Sequence, residues 1–337
     1  MHCPACGTEA PAEDRFCEAC GSLLVVDTDA SQSPAGPTGG CTKCGAGPEE
    51  IDAQGFCTAC GLRRRGRQRE HLEMALTPHC GAVTDRGLSH PCNEDALALA
   101  QVNDRKAYVL VVCDGVSSSQ AADLASQAAA EAACNALTEA LYSHDGMTET
   151  AMHAAVDAAL LAVRALPYTN SEDRDPPSTT LVAAVVCEGR ATIGWVGDSR
   201  AYWVNGERVQ QLTHDHSWLN EVVVAGDMSL EEARRSPQAH ALTRWLGADA
   251  DAHTAAAAVV QVALSGVGLL LLCTDGLWNY VPELAQLAAL VQEATAQAPD
   301  AVTVARRLVT FACARGGRDN VTAAVLSLPA GRLSAGR

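Results

Sequence analysis

Tyr108-Val109-Leu110-Val111-Val112-Cys113-Asp114-Gly115 is an apolar run that ends on a carboxylate and a glycine. Rich in β-branched residues and bounded by turn formers, it reads as a buried strand. The same punctuation recurs along the chain. Ile193-Gly194-Trp195-Val196-Gly197 delivers Asp198, Leu269 to Thr274 end on Asp275-Gly276, and Asp319 stands just before the run from Val321 to Leu326. Carboxylates gathered at strand ends repel one another unless cations neutralise them. Glycine after Asp114 and Asp275 lets the backbone turn sharply and lets a carbonyl approach a cation. These features predict a hard-metal site at the ends of a sheet.

Around this run the pattern alternates in blocks. Strand-like segments cover 108–113, 180–187, 192–196, 201–204, 267–273 and 321–328, and helix-like segments cover 121–142, 150–166, 230–235, 282–294 and 301–314. Helices come in pairs between groups of strands. Strict strand-helix-strand alternation is absent, which predicts an α+β fold of antiparallel sheets covered by helical hairpins and disfavours a doubly wound parallel sheet. The longest uncharged stretch, Thr254 to Thr274, carries Gln261, Ser265, Gly266 and Gly268, and is expected to be two core strands joined at a Ser-Gly-Val-Gly turn, not a membrane span.

The chain has 337 residues, 48% apolar but only 4% aromatic, so the core must be built mainly from Ala, Val and Leu. A formal net charge of −16 argues against nucleic acid as a partner of the whole chain. The one basic cluster, Arg63-Arg64-Arg65-Gly66-Arg67-Gln68-Arg69, is expected to be a solvated linker, with an acidic or nucleic-acid partner as the competing role. The N-terminus lacks a basic start followed by an apolar segment, so no secretory signal and no membrane association are expected. Fifteen cysteines in that setting indicate a reducing, cytoplasmic compartment in which Cys-x-x-Cys units bind metal.

Those units form an internal duplication. Cys3, Cys6, Cys17 and Cys20 make one pair of Cys-x-x-Cys knuckles, and Cys41, Cys44, Cys57 and Cys60 repeat it, each knuckle followed by glycine. Four thiolates in this spacing predict two closed, structural Zn²⁺ sites whose metal supplies the folding energy, about 10 to 16 kcal/mol per site. The ribbons serve either as stabilising spacers or as docking modules for a protein partner. The expected organisation is zinc ribbon 1 at 1–24, a flexible linker at 25–40, zinc ribbon 2 at 41–62, a basic linker at 63–75, a large domain at 76–330 and a tail at 331–337. The other cysteines, Cys80, Cys92, Cys113, Cys134, Cys187, Cys273 and Cys313, behave as small hydrophobes.

The ordered set Asp85-Arg86-Gly87-Leu88, Asn93-Glu94-Asp95, Asp114-Gly115, Ser178-Thr179-Thr180-Leu181, Gly197-Asp198-Ser199-Arg200, Leu212-Thr213-His214-Asp215-His216-Ser217, Cys273-Thr274-Asp275-Gly276-Leu277 and Asp319-Asn320-Val321-Thr322 resembles the type 2C (PPM) family of metal-dependent Ser/Thr protein phosphatases. The resemblance spans Thr84 to Leu328. It implies a four-layer αββα sandwich, two antiparallel sheets flanked by helices, and hydrolysis of phosphoserine and phosphothreonine in signalling proteins by a water that two Mn²⁺ or Mg²⁺ ions activate. It further implies that Asp114 bridges two metals, that the Gly115 carbonyl ligates one, that Asp275 and Asp319 complete the other, and that Glu94 and Asp95 hold water or the second metal. Asp198 resembles the ligand of a third metal, with His240 near the flap position associated with it, and Asn320 is expected to orient the Asp319 carboxylate.

Two departures stand out. The family's phosphate-gripping arginine is replaced by His90, which either contacts phosphate or acts as a general acid, or is a loop residue while Arg86 or another base serves the substrate. After Asp114-Gly115 the family's Gly-Gly-His is replaced by Ser117-Ser118-Ser119 at unchanged length, so loop flexibility and substrate contacts are expected to differ, with weak or narrow activity as one outcome. The alternative is a phosphatase-like scaffold that binds partners without turnover. Ser217 to Arg244 matches the family's mobile flap, and His214, His216 and His240 are expected to be polar surface residues.

Overall fold

In the computed structural model the chain divides into two units, residues 1–66 and 67–337. The structure describes residues 67–143, 147–170, 173–206, 208–298 and 300–328, with Gly47, Glu50, Thr58 and Ala59 from the first unit. The eight ribbon cysteines, the linker 25–40 and the tail 331–337 lie outside the described residues.

The second unit begins with a short helix α1 (Arg67–Glu70) and the strands β1 (His71–Thr77), β2 (Cys80–Asp85), β3 (Ala96–Val102) and β4 (Ala107–Cys113). A helical hairpin follows, α2 (Ala122–Tyr142) and α3 (Glu149–Arg164). Then come β5 (Ser178–Thr179), β6 (Leu181–Cys187), β7 (Arg190–Val196), β8 (Arg200–Asn205) and β9 (Arg208–Gln211). The flap segment contributes α4 (Trp218–Ala225) and α5 (Leu230–Arg234), and β10 (Leu246–Gly247), β11 (Ala258–Ala263) and β12 (Gly268–Cys273) lead into α6 (Asp275–Trp278), α7 (Leu284–Ala296), α8 (Ala301–Ala314) and β13 (Val321–Leu328).

Two antiparallel sheets result, one in the order β1-β2-β13-β12-β8-β9 and one in the order β11-β7-β6-β4-β3, with β10 and β5 as a separate short pair. Period-two alternation along each central strand feeds two cores at once. In β4, Val109, Val111 and Cys113 pack under α2 and α3, while Tyr108, Leu110 and Val112 meet the other sheet. In β12, Leu269, Leu271 and Cys273 pack under α7 and α8, while Leu270 and Leu272 face β4 and β6 across the sandwich. This is the expected αββα architecture, and its central strands are apolar on both faces because both are covered. Truncating a fully buried side chain at the shared interface, Leu110→Ala, is expected to cost about 2 to 5 kcal/mol.

One boundary differs from the sequence expectation. The sheet starts at His71, upstream of Leu76 and inside the stretch expected to be a linker. β1 is an edge strand with an exposed outer face, so its sequence lacks a continuous apolar signal. The uncharged stretch does hold two strands, but they do not pair with each other. β11 pairs with β7 and β12 with β13 and β8, so the Ser265-Gly266-Val267 segment crosses between sheets. Among the described residues no helix is long and apolar enough to cross a membrane.

Candidate metal centre

The carboxylates meet where β4, β12 and the loops before β3, β8 and β13 end together. β4 and β13 lie in different sheets, so the site straddles the mouth of the sandwich. Asp114 follows β4, and its backbone is pinned on both sides. Its N–H donates to Thr180 Oγ1 (3.1 Å), and its carbonyl accepts from Thr180 N (2.8 Å) and Thr179 Oγ1 (2.9 Å). Gly115 donates its N–H to the Glu94 carbonyl (3.2 Å), and a Cβ there would lie 2.5 Å from the Ala122 carbonyl oxygen and 2.7 Å from that of Glu94. At Gly276 a Cβ would run into the Asn320 carbonyl. Neither glycine has a positive φ. Both are required by close backbone approach, not by a left-handed turn.

Asp95 is buried behind this layer. Thr274 Oγ1 (2.9 Å) and Thr322 Oγ1 (2.7 Å) donate to its Oδ2, while its Oδ1 is buried with no hydrogen-bond partner. Burial pushes its carboxyl up to about 8, with Asp319 and Asp275 adding repulsion against the threonine hydrogen bonds. Burial likewise raises Asp275 to about 7, and its Oδ1 is a second buried oxygen without a partner. Asp114 and Asp198 are driven well above the carboxylate range by burial first and then by neighbouring carboxylates, Asp95 for the former and Asp275 for the latter. These shifts locate the five aspartates in one electrostatic neighbourhood.

The supporting contacts differ in part from expectation. Asn320 bonds the Asp319 carboxylate through its backbone N–H (2.8 Å) and not through its side chain. Its side-chain oxygen accepts from Glu94 N (2.7 Å), and its Nδ2 donates to the carbonyls of Arg86 (2.8 Å) and Cys92 (3.0 Å), so it fastens the loop that carries Glu94. His90 turns its Nε2 to within 3.2 Å of Asp319 Oδ1. Arg86 donates to the His90 carbonyl (3.2 Å) and lies 3.6 Å from Glu70, engaged away from the carboxylates. The serines that replace the family's Gly-Gly-His are also employed: Ser117 Oγ donates to Glu94 Oε2 (2.6 Å), and Ser118 Oγ to Asp175 Oδ2 (3.1 Å).

On the flap side, Arg200 grips Asp215 with two parallel bonds (2.8 and 2.6 Å) and stacks 3.6 Å over the Trp278 ring, whose Nε1 donates to the Asp198 carbonyl (3.1 Å). This clamp joins the strand end carrying Asp198 to α6 carrying Asp275. Of the three histidines expected at the surface, His214 and His240 are exposed, but His216 is partly buried against Trp195. Its Nδ1 accepts from Gly197 N (3.2 Å), and burial pushes its pKa down to about 4. The hydroxyls of Thr84, Thr274 and Thr322 and the side chain of Asn93 were not among the expected site residues. Asn93, Thr274 and Thr322 stand inside the motifs that carry the resemblance, whereas Thr84 is marked only as a threonine near a strand end.

Among the described residues no group of three or more His, Cys, Asp or Glu side chains is drawn together closely enough to hold a metal ion as they stand. Hard divalent cations take oxygen ligands from both carboxylates and water. The donor set is all oxygen, and two buried carboxylate oxygens lack partners. Both observations fit Mn²⁺ or Mg²⁺ held by these residues.

Comparison with known proteins agrees. The sequence model of the family described as Protein phosphatase 2C matches residues 89–312, and that described as Double zinc ribbon matches residues 3–61. The serine/threonine phosphatase stp of Listeria innocua is 32% identical over 247 residues, covering 72% of this chain and 93% of that protein. The crystal structure of serine/threonine phosphatase Stp1 from Staphylococcus aureus superimposes with a TM-score of 0.60 at 26% identity, covering 79% of this chain and all (100%) of that one. The catalytic domain of the serine threonine protein phosphatase PstP, crystallised in complex with two manganese ions, gives 0.54 at 26% identity, covering 74% and 97%.

Proposed function

The chain belongs to the protein phosphatase 2C family, and we propose from that membership and from the carboxylate mouth that it hydrolyses phosphoserine and phosphothreonine in proteins. The observation that carries this is the crowding of Asp95, Asp114, Asp198 and Asp275, every one of them raised by burial and by its neighbours. Such a set is costly unless cations bind it.

Asp114, the Gly115 carbonyl, Asp275 and Asp319 are the residues we assign to two divalent cations, with Glu94 and Asp95 holding the surrounding water and Asp198 serving a third. When bound, the cations would neutralise the carboxylates, lower the pKa of a water and draw charge from the phosphoryl oxygens. The chain's own residues do the rest. Thr179, Thr180 and Asn320 fix the backbone of the ligands, Thr274 and Thr322 orient Asp95, and the Arg200 clamp keeps the flap side joined to α6. His90 stands on Asp319 at the edge of the mouth, where it can orient that carboxylate and donate to an incoming phosphate.

The double zinc ribbon at residues 3–61 is assigned two structural zinc ions on its eight cysteines and a docking role for a protein partner. Hydrolysis of a phosphothreonine peptide by the full-length protein with added Mn²⁺ tests the activity. Turnover that requires Mn²⁺ and falls by at least about a thousandfold in Asp114→Asn is expected. An Asp114→Asn variant as active as the parent would exclude this assignment.

A further inference from the structure

Arg69 and Glu70 end α1, at the point where the chain passes from residues 1–66 into the first sheet. They lie outside the part of the chain matched by the phosphatase family, residues 89–312. As the tail of an arginine run they read from sequence as a solvated linker. The structure instead bonds them into the turn that carries Glu94 and Asp95.

Asn93 is the hub. It is fully buried. Its side-chain nitrogen donates to the Arg69 carbonyl (3.1 Å) and to Thr84 Oγ1 (2.9 Å), and its backbone N–H donates to Glu70 Oε2 (3.2 Å). Its side-chain oxygen accepts from the N–H of Asp95 (3.2 Å), so the geometry of Asp95 depends directly on how Asn93 is held. The Glu70 carbonyl accepts from Arg86 N (2.8 Å), tying the same junction to the loop before His90. The Arg69 guanidinium reaches the other way, to the Asp123 carbonyl and the Gln127 side chain at the start of α2. That helix start is the wall against which Gly115 packs, since the Ala122 carbonyl lies where a Cβ would stand. Two consecutive residues therefore clamp the two segments that flank Asp114.

We propose that Arg69 and Glu70 are positioning residues of the phosphatase site, holding the Asn93-Glu94-Asp95 turn and the start of α2 in register around Asp114. The proposal rests on the metal-dependent reading of that site. Removing the Glu70 side chain takes the acceptor from the Asn93 N–H, and truncating Arg69 removes its bonds to the start of α2, where the Asp123 carbonyl keeps Ser126 Oγ (3.1 Å); either change loosens the turn. Supporting contacts of this kind commonly change metal affinity by an order of magnitude or more.

The test uses the full-length, zinc-loaded protein, with Mn²⁺ titrated by calorimetry, phosphopeptide kinetics and thermal unfolding measured on the parent, Arg69→Ala, Arg69→Lys, Glu70→Ala and Arg306→Ala. Arg69→Ala and Glu70→Ala are expected to weaken Mn²⁺ binding by about tenfold and to lower kcat with the peptide KM held within about twofold. Arg69→Lys restores part of the affinity. Arg306→Ala breaks the pair with Glu73 on β1 and a bond to Thr303 Oγ1 (3.4 Å) and leaves Mn²⁺ affinity unchanged. Unaltered Mn²⁺ affinity in both alanine variants, even with a lowered unfolding temperature, would overturn the proposal. A parent protein that binds Mn²⁺ without turnover would instead sink the phosphatase activity, while the affinity comparison still decides the role of the junction.

Discussion

Asp95 and Asp198 flank the same cluster of carboxylates and are held in opposite ways. Asp95 sits behind the mouth, 2% exposed, with threonine hydroxyls from β13 and from the end of β12 bonded to one oxygen. Those hydroxyls form a chain: Thr322 bonds Thr84 (2.7 Å), Thr84 accepts from Asn93, and Thr322 N donates to Thr274 Oγ1 (3.0 Å). Asp198 is more open, and its carboxylate takes a hydrogen bond from its own backbone. Its loop is fixed at one remove, by Trp278 on its carbonyl and by the Arg200–Asp215 pair beneath. One carboxylate is set by the strands of the sandwich, the other by a clamp of Arg200, Asp215 and Trp278 beside the flap. The difference predicts that the Asp95 side is pre-organised and the Asp198 side adjustable.

The clamp is where this contrast breaks most severely. Arg200→Ala leaves Asp215 partly buried without its partner and removes the stack on Trp278, a loss of about 3 kcal/mol, read by chemical denaturation. Arg200→Lys keeps the charge but not the fork, so it falls between the two. If Arg200→Ala unfolds at the denaturant concentration of the parent, the flap side is not held as described.

On the other side, Thr322→Val removes one of the two donors to Asp95 and costs about 1 to 3 kcal/mol. Thr274→Val shares the same acceptor, so the double variant should lose measurably more or less than the sum. Strict additivity would show that the hydroxyl chain is not a unit.

A smaller effect separates the two sides by pH. His216 lies under the Asp198 loop, bonded to Gly197 N, and its folded pKa of about 4 is below its unfolded value of 6.5. The unfolded chain therefore binds more protons in that interval, and stability contributed by neutral His216 is lost as pH falls from 6.5 toward 4. His216→Asn should flatten this part of the stability curve, measured by unfolding at a series of pH values. An unchanged slope would mean that another group titrates there.

The frame of the molecule was legible where strands are covered on both faces. β4 and β12 are continuous apolar runs and β13 is interrupted only at Thr322 and Ser327, with Asp114, Asp275 and Asp319 close to their ends. Strands with an open face or a tight backbone contact carry weaker patterns: β1 alternates with charge, and β2 contains Gly81, forced by the Val302 backbone 2.7 Å from where a Cβ would lie. Site support was less legible still. Thr84 and Thr322 face each other through the register of β2 and β13, a pairing across 238 positions that no local spacing reveals. Asn320 bonds the Asp319 carboxylate through its backbone, while its side chain holds the distant loop at Glu94, a contact that local sequence does not reveal. Arg69 stands in an arginine run, and no local spacing reveals its bonds to Asp123 and Gln127.

Proton release on Mn²⁺ binding tests the central claim most directly. Asp95 and Asp275 are raised to about 8 and about 7 by burial and repulsion, so at about pH 6 a cation must displace protons to bind them. Titration calorimetry of the full-length, zinc-loaded protein in buffers of differing ionisation enthalpy should show net proton release that disappears in Asp114→Asn. Mn²⁺ binding with no buffer dependence at that pH would contradict a site built from crowded, protonated carboxylates.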